Sequence, residues 1–126
     1  MRYLGIDYGT KRIGVATSDE GGTLAFPEVI LDNDKNTLES LQKIIEGKNI
    51  GEIVVGESVD FKGAPNPISQ KIEEFISELE QEFNLPVRKE KEFLTSVEAR
   101  RFGKARVDAS AAALILQRYL DRKNLI

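Results

Sequence analysis

The sequence contains no cysteine and no histidine among its 126 residues. The absence of cysteine excludes disulfide bonds, thiolate zinc sites and a cysteine nucleophile. The absence of histidine excludes the most common general base and the most common ligand of transition metals. An enzyme of this composition would have to use carboxylates, Lys, Tyr, Ser or Thr side chains, or a bound metal ion.

Long apolar segments are absent as well. No apolar run approaches the 18 residues of a membrane span, and the first residues, MRYLGIDYG, predict a strand rather than a signal peptide. We therefore expect a cytoplasmic protein without a membrane partner. The length and the 40% hydrophobic content predict a single domain over residues 1–126.

The charges are distributed unevenly along the chain. Residues 1–86 contain 8 basic against 16 acidic residues, whereas residues 87–126 contain 10 basic against 5 acidic ones. A basic final third can form a patch for a polyanion, although a run of charges is more often a solvated surface.

Apolar periodicity and turn residues predict strands and helices in the order β-β-β-α-β-α-β-α-α. The strands are expected in RYLGID, KRIGVATSD, TLAFPEVIL, EIVVGES and LPVRKEKEFL, and YGTK forms a hairpin turn between the first two. Pro27 predicts an edge position or a bulge in the third strand. Three antiparallel strands followed by α/β crossovers predict one mixed five-stranded α/β sheet with helices on both faces.

Capping residues predict where the helices begin and end. The first helix is expected over 34–47, with Asp34 as its N-cap and Gly47 as its stop. Asn66 caps the second helix, with Pro67 at its first helical position. A capping box at Thr95 predicts a short helix to about Phe102. The last helix opens at Asp108, and its alanine-rich face is expected to pack closely on the sheet.

Four carboxylates are placed where elements of this sheet end or begin. Asp7 ends the first strand, Glu57 ends the fourth, Glu92 follows the fifth and Asp108 opens the last helix. Acids that converge at one sheet edge repel each other unless a cation neutralises them. Mg²⁺ or Mn²⁺ suits such oxygen ligands, and two ions can support phosphodiester hydrolysis without histidine.

Each acid also has a purely structural interpretation. Asp7 could accept hydrogen bonds from the Gly9–Thr10 turn, and Asp108 could be only an N-cap. Glu92 lies in the charge run KEKE, and for Glu57 the two interpretations are equally good. Thr10 and Ser58 are by default turn or capping residues.

Four segments together resemble the YqgF/RuvX family: GIDYGTKRIGVATSD, IVVGE, EFLTSVEAR and VDASAAALILQRYL. The resemblance covers essentially the whole chain. It implies an RNase H-like fold and a nuclease described for Holliday junctions and for pre-16S rRNA. It also implies that Asp7, Glu92 and Asp108 match the family's acids.

The chain departs from the family at two places. Lys91 and Phe93 stand where the family has the Asp and the Arg of Asp-Glu-Arg-Leu-Thr-Thr, and Glu57 lies where it usually has Gly-Leu-Pro. The lost Arg removes a phosphate contact. Glu57 could compensate for the altered segment, since related resolvases of this fold carry a catalytic Glu at the end of the fourth strand.

Basic residues flank the predicted site on both sides. Together with Thr10, these basic residues are the candidates for binding nucleic acid: Lys11, Arg12, Arg100, Arg101, Lys104 and Arg106. Tyr8 could stack on a base or pack in the protein. No element that reads bases is visible, so recognition by shape is expected.

The leading hypothesis is a metal-dependent nuclease that acts on structured RNA, in particular a precursor of ribosomal RNA. Branched DNA is the alternative substrate, and it would favour a homodimer over a monomer. A ribosome-assembly factor that binds RNA without cutting it is a third hypothesis, favoured by Lys91 and Phe93. DYGTKRIGVA also resembles the phosphate-binding turn of actin-like ATPases, but those need two lobes.

Overall fold

The computed structural model of the chain describes residues 1–58, 68–92 and 107–125. It contains β1 (Arg2–Tyr8), β2 (Arg12–Ser18), β3 (Ala25–Asp32), α1 (Thr37–Lys48), β4 (Ile50–Ser58), α2 (Ser69–Phe83), β5 (Val87–Glu92) and α3 (Val107–Lys123). The short helix predicted from Thr95 to Phe102 lies outside these residues. Within the described ranges, no helix is long and apolar enough to cross a membrane.

The five strands form one mixed sheet in the order β3-β2-β1-β4-β5. The pairs β1–β2 and β2–β3 are antiparallel, whereas β1–β4 and β4–β5 are parallel. The predicted mixed sheet and the order of its strands along the chain are therefore confirmed. Strand β1 is central, and it joins the antiparallel half of the sheet to the parallel half.

Pro27 lies in β3, which is the edge strand of the sheet. Val15 pairs with Val29 and Ala16 pairs with Pro27, so Glu28 is an extra residue in a bulge. A proline has no N–H to donate to a strand ladder, and an edge strand with a bulge tolerates this. Both structural roles predicted for Pro27 are confirmed.

Helices cover both faces of the sheet, as predicted. On one face, Leu4, Ile6, Ile53 and Val55 pack with buried residues of α1 and α2. On the other face, α3 buries Ala112, Ala113, Ile115, Leu116 and Leu120 against Tyr3, Ala16 and Val54. Successive residues of β1 and β4 thus contribute to opposite layers, as the period of two in a strand requires.

Helix α3 lies unusually close to β1. A Cβ atom at Gly5 would lie 2.7 Å from Cβ of Leu116 and 3.1 Å from the carbonyl oxygen of Ala112. Ala111, Ala112 and Ala113 are buried in the same helix. The predicted close packing of the alanine-rich helix is confirmed, and the missing side chain of Gly5 allows it.

Two buried carboxylates fasten the C-terminal half of α3 to the sheet. The Tyr119 hydroxyl donates to Glu52 over 2.8 Å, and Arg122 Nη1 donates to Glu90 over 2.8 Å. Glu52 is 8% exposed and Glu90 is 5% exposed. Burial, together with the hydrogen bond to Glu52, raises the pKa of Tyr119 to about 12, so this hydroxyl remains a donor at neutral pH.

Both predicted boundaries of the first helix are wrong. Helix α1 begins at Thr37 because Asp34 forms its own turn, accepting from the N–H of Asn36 over 2.8 Å. Gly47 lies inside α1, which ends at Lys48 and is followed by Asn49 as its C-cap in the left-handed conformation. In the second helix, α2, the described residues begin the helix at Ser69 with Ile68 as its N-cap, and the predicted cap Asn66 and first residue Pro67 lie outside the described ranges.

Candidate metal and nucleic-acid site

The carboxyl ends of three parallel strands meet at one edge of the sheet. Asp7 is the next-to-last residue of β1, Glu57 is the next-to-last of β4 and Glu92 is the last of β5. Ile6 pairs with Val55, and Ser58 pairs with Glu92. The strand ends predicted to carry the acids are therefore neighbours.

Asp7 belongs to the face of the sheet that α3 covers. Tyr3 packs in the α3 layer, and the Cβ direction of Gly5 points at Leu116. Asp7 follows these residues at the same period of two, and it is half-buried. Its carboxylate is thus held at the end of a rigid central strand, beside the helix.

Glu57 belongs to the opposite face. Ile53 and Val55, which share its parity in β4, pack in the layer of α1 and α2. Its charge acts on Lys89, whose amino group is bonded to Glu73 of α2. The hydrogen bond from Lys89 to Glu73 raises the pKa of Lys89 most, and the charge of Glu57 adds to this effect. Asp7 and Glu57 are neighbours along the edge but lie on different sides of the sheet.

The start of α3 lies at the level of Asp7. Helix α3 runs back along β1, with Leu116 and Ala112 against Gly5 and with Tyr119 near Tyr3, where the ring centroids are 6.1 Å apart. Two residues of a strand span about 6.6 Å along its axis, and roughly four residues of a helix span the same length. Counted back from Ala112 and Leu116, the two residues that face Gly5, this step leads to positions 108 to 112 at the N-terminal end of α3. The helix begins at Val107, so Asp108 is in its first turn rather than at the predicted N-cap.

The turn after Asp7 surrounds an open cavity of about 230 Å³. Its lining residues are Asp7, Gly9, Thr10, Lys11 and Arg12. Thr10, Lys11 and Arg12 are exposed. The turn is tight, because a Cβ atom at Gly9 would lie 2.4 Å from the carbonyl oxygen of Arg12. A carboxylate beside two exposed cations can bind a metal ion and a phosphate at adjacent positions.

The structure describes Tyr8 but not the basic residues predicted between positions 100 and 106. The ring of Tyr8 packs against Phe75 of α2 with centroids 4.9 Å apart, which agrees with the packing role rather than the stacking role. Arg100, Arg101, Lys104 and Arg106 lie outside the described residues. The described part of the site therefore contributes Lys11 and Arg12 from the predicted basic residues.

Of the four predicted acids, Asp7 and Glu57 have side chains that the structure describes. Asp7 is the one of these two that lies on the α3 face. Among the side chains that the structure describes, which do not include those of Glu92 and Asp108, no group of three acids is arranged to hold a metal ion. The donor chemistry is that of a hard cation, since the chain has carboxylates but neither histidine nor cysteine.

Sequence reasoning missed the residue that fixes this turn. Asn33 follows β3, and its side-chain Nδ2 donates to the carbonyl oxygen of Gly9 over 2.8 Å. Its main-chain N–H donates to the carbonyl oxygen of Lys11 over 2.9 Å. An asparagine between a strand and a helix is ordinary turn chemistry, so no sequence signal identifies this contact.

Two solved structures that are similar to this chain are resolvases. A fowlpox virus resolvase in complex with Holliday junction DNA matches with a TM-score of 0.63 and 15% identity, covering 99% of this chain and 100% of that one. Thermus thermophilus RuvC matches with a TM-score of 0.64 and 12% identity, covering 98% and 96%. Together with the observed sheet order, these likenesses define an RNase H-like fold.

Sequence comparison then identifies the family. The profile of RuvX, described as Holliday junction resolvase, matches residues 1–122. Relatives from Koribacter versatilis and Thermoanaerobacter pseudethanolicus are 39% and 37% identical, and the matches cover 98% and 96% of this chain and 89% and 96% of theirs. Both carry the name "Putative pre-16S rRNA nuclease". The chain belongs to the RuvX family of nucleases, which are hydrolases of phosphodiester bonds, and the predicted family and enzyme class are confirmed.

Proposed function

We propose that this chain is a metal-dependent nuclease that processes the 5′ end of precursor 16S rRNA in the cytoplasm. One observation carries the proposal: α3 packs closely against β1 at Gly5, so the N-terminal end of the helix would lie near Asp7. The names of the relatives support the RNA substrate. Lys11 and Arg12, both exposed beside Asp7, would bind the phosphate backbone.

The residues that would hold the metal are Asp7, Asp108 and one glutamate. Bound Mg²⁺ or Mn²⁺ supplies charge neutralisation at the attacking and leaving oxygens, and two ions would serve both oxygens. The protein's own part is to hold its carboxylates at fixed positions on a strand and a helix. Oxygen ligands alone fit these cations, because both prefer carboxylates to nitrogen or sulfur donors.

Branched DNA is the second candidate substrate. The family description and the two similar resolvase structures favour it. Symmetrical cleavage of a junction would call for a homodimer, whereas cleavage of a single RNA strand needs only a monomer.

Cleavage assays with both substrates test the proposal. Purified protein is incubated with a pre-16S rRNA fragment and with a four-way DNA junction, in Mg²⁺, in Mn²⁺ and in EDTA. We expect metal-dependent cleavage of the RNA and weaker cleavage of the junction. A preference for the junction would support the second candidate. Binding of RNA without cleavage of either substrate would contradict the nuclease and favour an assembly factor.

We propose Glu92, rather than Glu57, as the glutamate ligand. Glu57 shares a face with α2, whereas Arg88 and Glu90 are bonded to Glu52 and Arg122 on the α3 face. Position 92 has the same parity as 88 and 90 in β5. On this assignment Glu57 and Lys91 form part of the opposite surface.

The two glutamates can be distinguished by matched substitutions. We expect Glu92→Gln to reduce metal-dependent cleavage at least about 100-fold, because replacing even an outer partner of a metal ligand costs 10- to 100-fold. Glu57→Gln should retain activity within about threefold. Loss of activity in Glu57→Gln, with Glu92→Gln still active, would reverse the assignment and support compensation by Glu57.

A further inference from the structure

The turn that carries Thr10 and Lys11 is fixed from outside the hairpin. Asn33 comes from the segment between β3 and α1, far from the turn in sequence. It bonds the carbonyl oxygen of Gly9 at one end of the turn and that of Lys11 at the other. The two bonds, 2.8 and 2.9 Å long, therefore enclose Thr10.

The two bonds differ in how they depend on the side chain. The bond to Lys11 comes from the main-chain N–H of Asn33 and survives substitution of the residue. The bond to Gly9 comes from the half-buried side-chain amide and requires a donor at that position. A change at Asn33 thus loosens the end of the turn next to Asp7 and retains the other end.

A fixed turn matters for binding a polyanion. Thr10 and Lys11 are exposed, and an exposed turn that must be ordered during binding loses conformational freedom at that step. A turn already held by Asn33 and by the tight contact of Gly9 with Arg12 avoids most of this loss. The main chain of the turn, from which the Lys11 side chain extends, then keeps a fixed position beside Asp7.

We propose that Asn33 is a positioning residue that prearranges the turn at residues 9–12 to bind a phosphate of the nucleic-acid substrate. This inference rests on the proposed nuclease function. Asn33 does not contact the substrate itself. It acts through Gly9 and Lys11, and its effect belongs to substrate binding rather than to the chemical step.

The test compares Asn33→Ala with Asn36→Ala. Asn36 is a matched control, because it is exposed in the same segment and its side chain makes no capping hydrogen bond. We expect Asn33→Ala to raise KM for the RNA fragment about threefold to tenfold with kcat nearly unchanged, as loss of one neutral hydrogen bond implies. The Kd for RNA in EDTA should rise by the same factor, and Asn36→Ala should match the wild type.

A double-mutant cycle separates positioning from general destabilisation. If Asn33 acts through the turn, the effects of Asn33→Ala and Lys11→Ala on Kd should be less than additive. Should Asn33→Ala fold poorly, Asn33→Asp keeps the size and the main-chain bond but loses the amide donor, and it should raise KM further because its charge repels phosphate.

The outcomes distinguish a failure of the positioning role of Asn33 from a failure of the proposed nuclease function. An active wild type with an unchanged KM in both Asn33 variants, or with a fall in kcat alone, would overturn the positioning role and leave the nuclease intact. Additive effects of Asn33→Ala and Lys11→Ala would overturn it as well. A wild type that neither binds nor cleaves RNA or the DNA junction would refute the proposed function, and the inference with it.

Discussion

Asp7→Asn is expected to abolish metal-dependent cleavage while it preserves the fold and the binding of RNA. The carboxamide has nearly the same shape as the carboxylate but lacks the charge that a hard cation requires. We expect cleavage to fall at least about 100-fold, more than for an outer partner of a metal site. Initial rates over a range of Mg²⁺ and Mn²⁺ concentrations measure the effect.

Asp32→Asn is the matched control for this prediction. Asp32 is an exposed aspartate at the end of β3. It lies opposite Arg12 in the strand register, at the same edge of the sheet as Asp7. Its removal should change the rate no more than threefold, because it is an exposed edge residue outside the acids assigned to the metal. Equal losses in both variants would indicate a general charge effect, and full activity of Asp7→Asn would refute the proposed site.

Gly5→Ala is expected to have the largest effect on stability. The added methyl group would lie 2.7 Å from Cβ of Leu116, so α3 must move away from β1. Overpacking of a core typically costs about 1–3 kcal/mol of unfolding free energy. The same shift would separate the first turn of α3 from Asp7, and a displacement of about 1 Å can cost about 100-fold in rate. Urea unfolding and cleavage by the folded variant measure the two effects.

Gly47→Ala provides the control for a glycine-to-alanine change. Gly47 is exposed inside α1, and a Cβ atom there would contact nothing within 4 Å. Alanine is favoured over glycine in a helix, so this variant should gain up to about 1 kcal/mol and keep its activity. Wild-type stability of Gly5→Ala would show that α3 is not packed as closely as described.

The fold was predictable because its signals are local. Alternating apolar residues in KRIGVATSD and the proline in TLAFPEVIL determine which strand lies at an edge and where a bulge is tolerated. The helix boundaries were less predictable, since Asp34 and Asn36 are both good capping residues. Asp34 bonds the N–H of Asn36 in a turn before the helix, and a sequence does not reveal that choice.

The site was predictable only in part, for two physical reasons. Strand β4 is apolar on both faces, so its sequence does not show that Glu57 and Asp7 lie on opposite sides. The register between β1 and β4 is needed for that, and it is a tertiary property. Likewise, the pattern of KEKE is that of a solvated charge run, although Glu90 in it is 5% exposed and bonded to Arg122.

The path of α3 along β1 also has a consequence for the growing chain during synthesis. Asp7 is made early, within the first strand, whereas Asp108 is made late, at the start of the helix that covers that strand. Contacts between segments so distant in sequence form slowly, after the chain between them is available. On the proposed function, a partly synthesised chain that already contains the β1–β2 hairpin has no complete set of carboxylates. On that assignment, nuclease activity would arise only after the α3 layer has closed over the sheet.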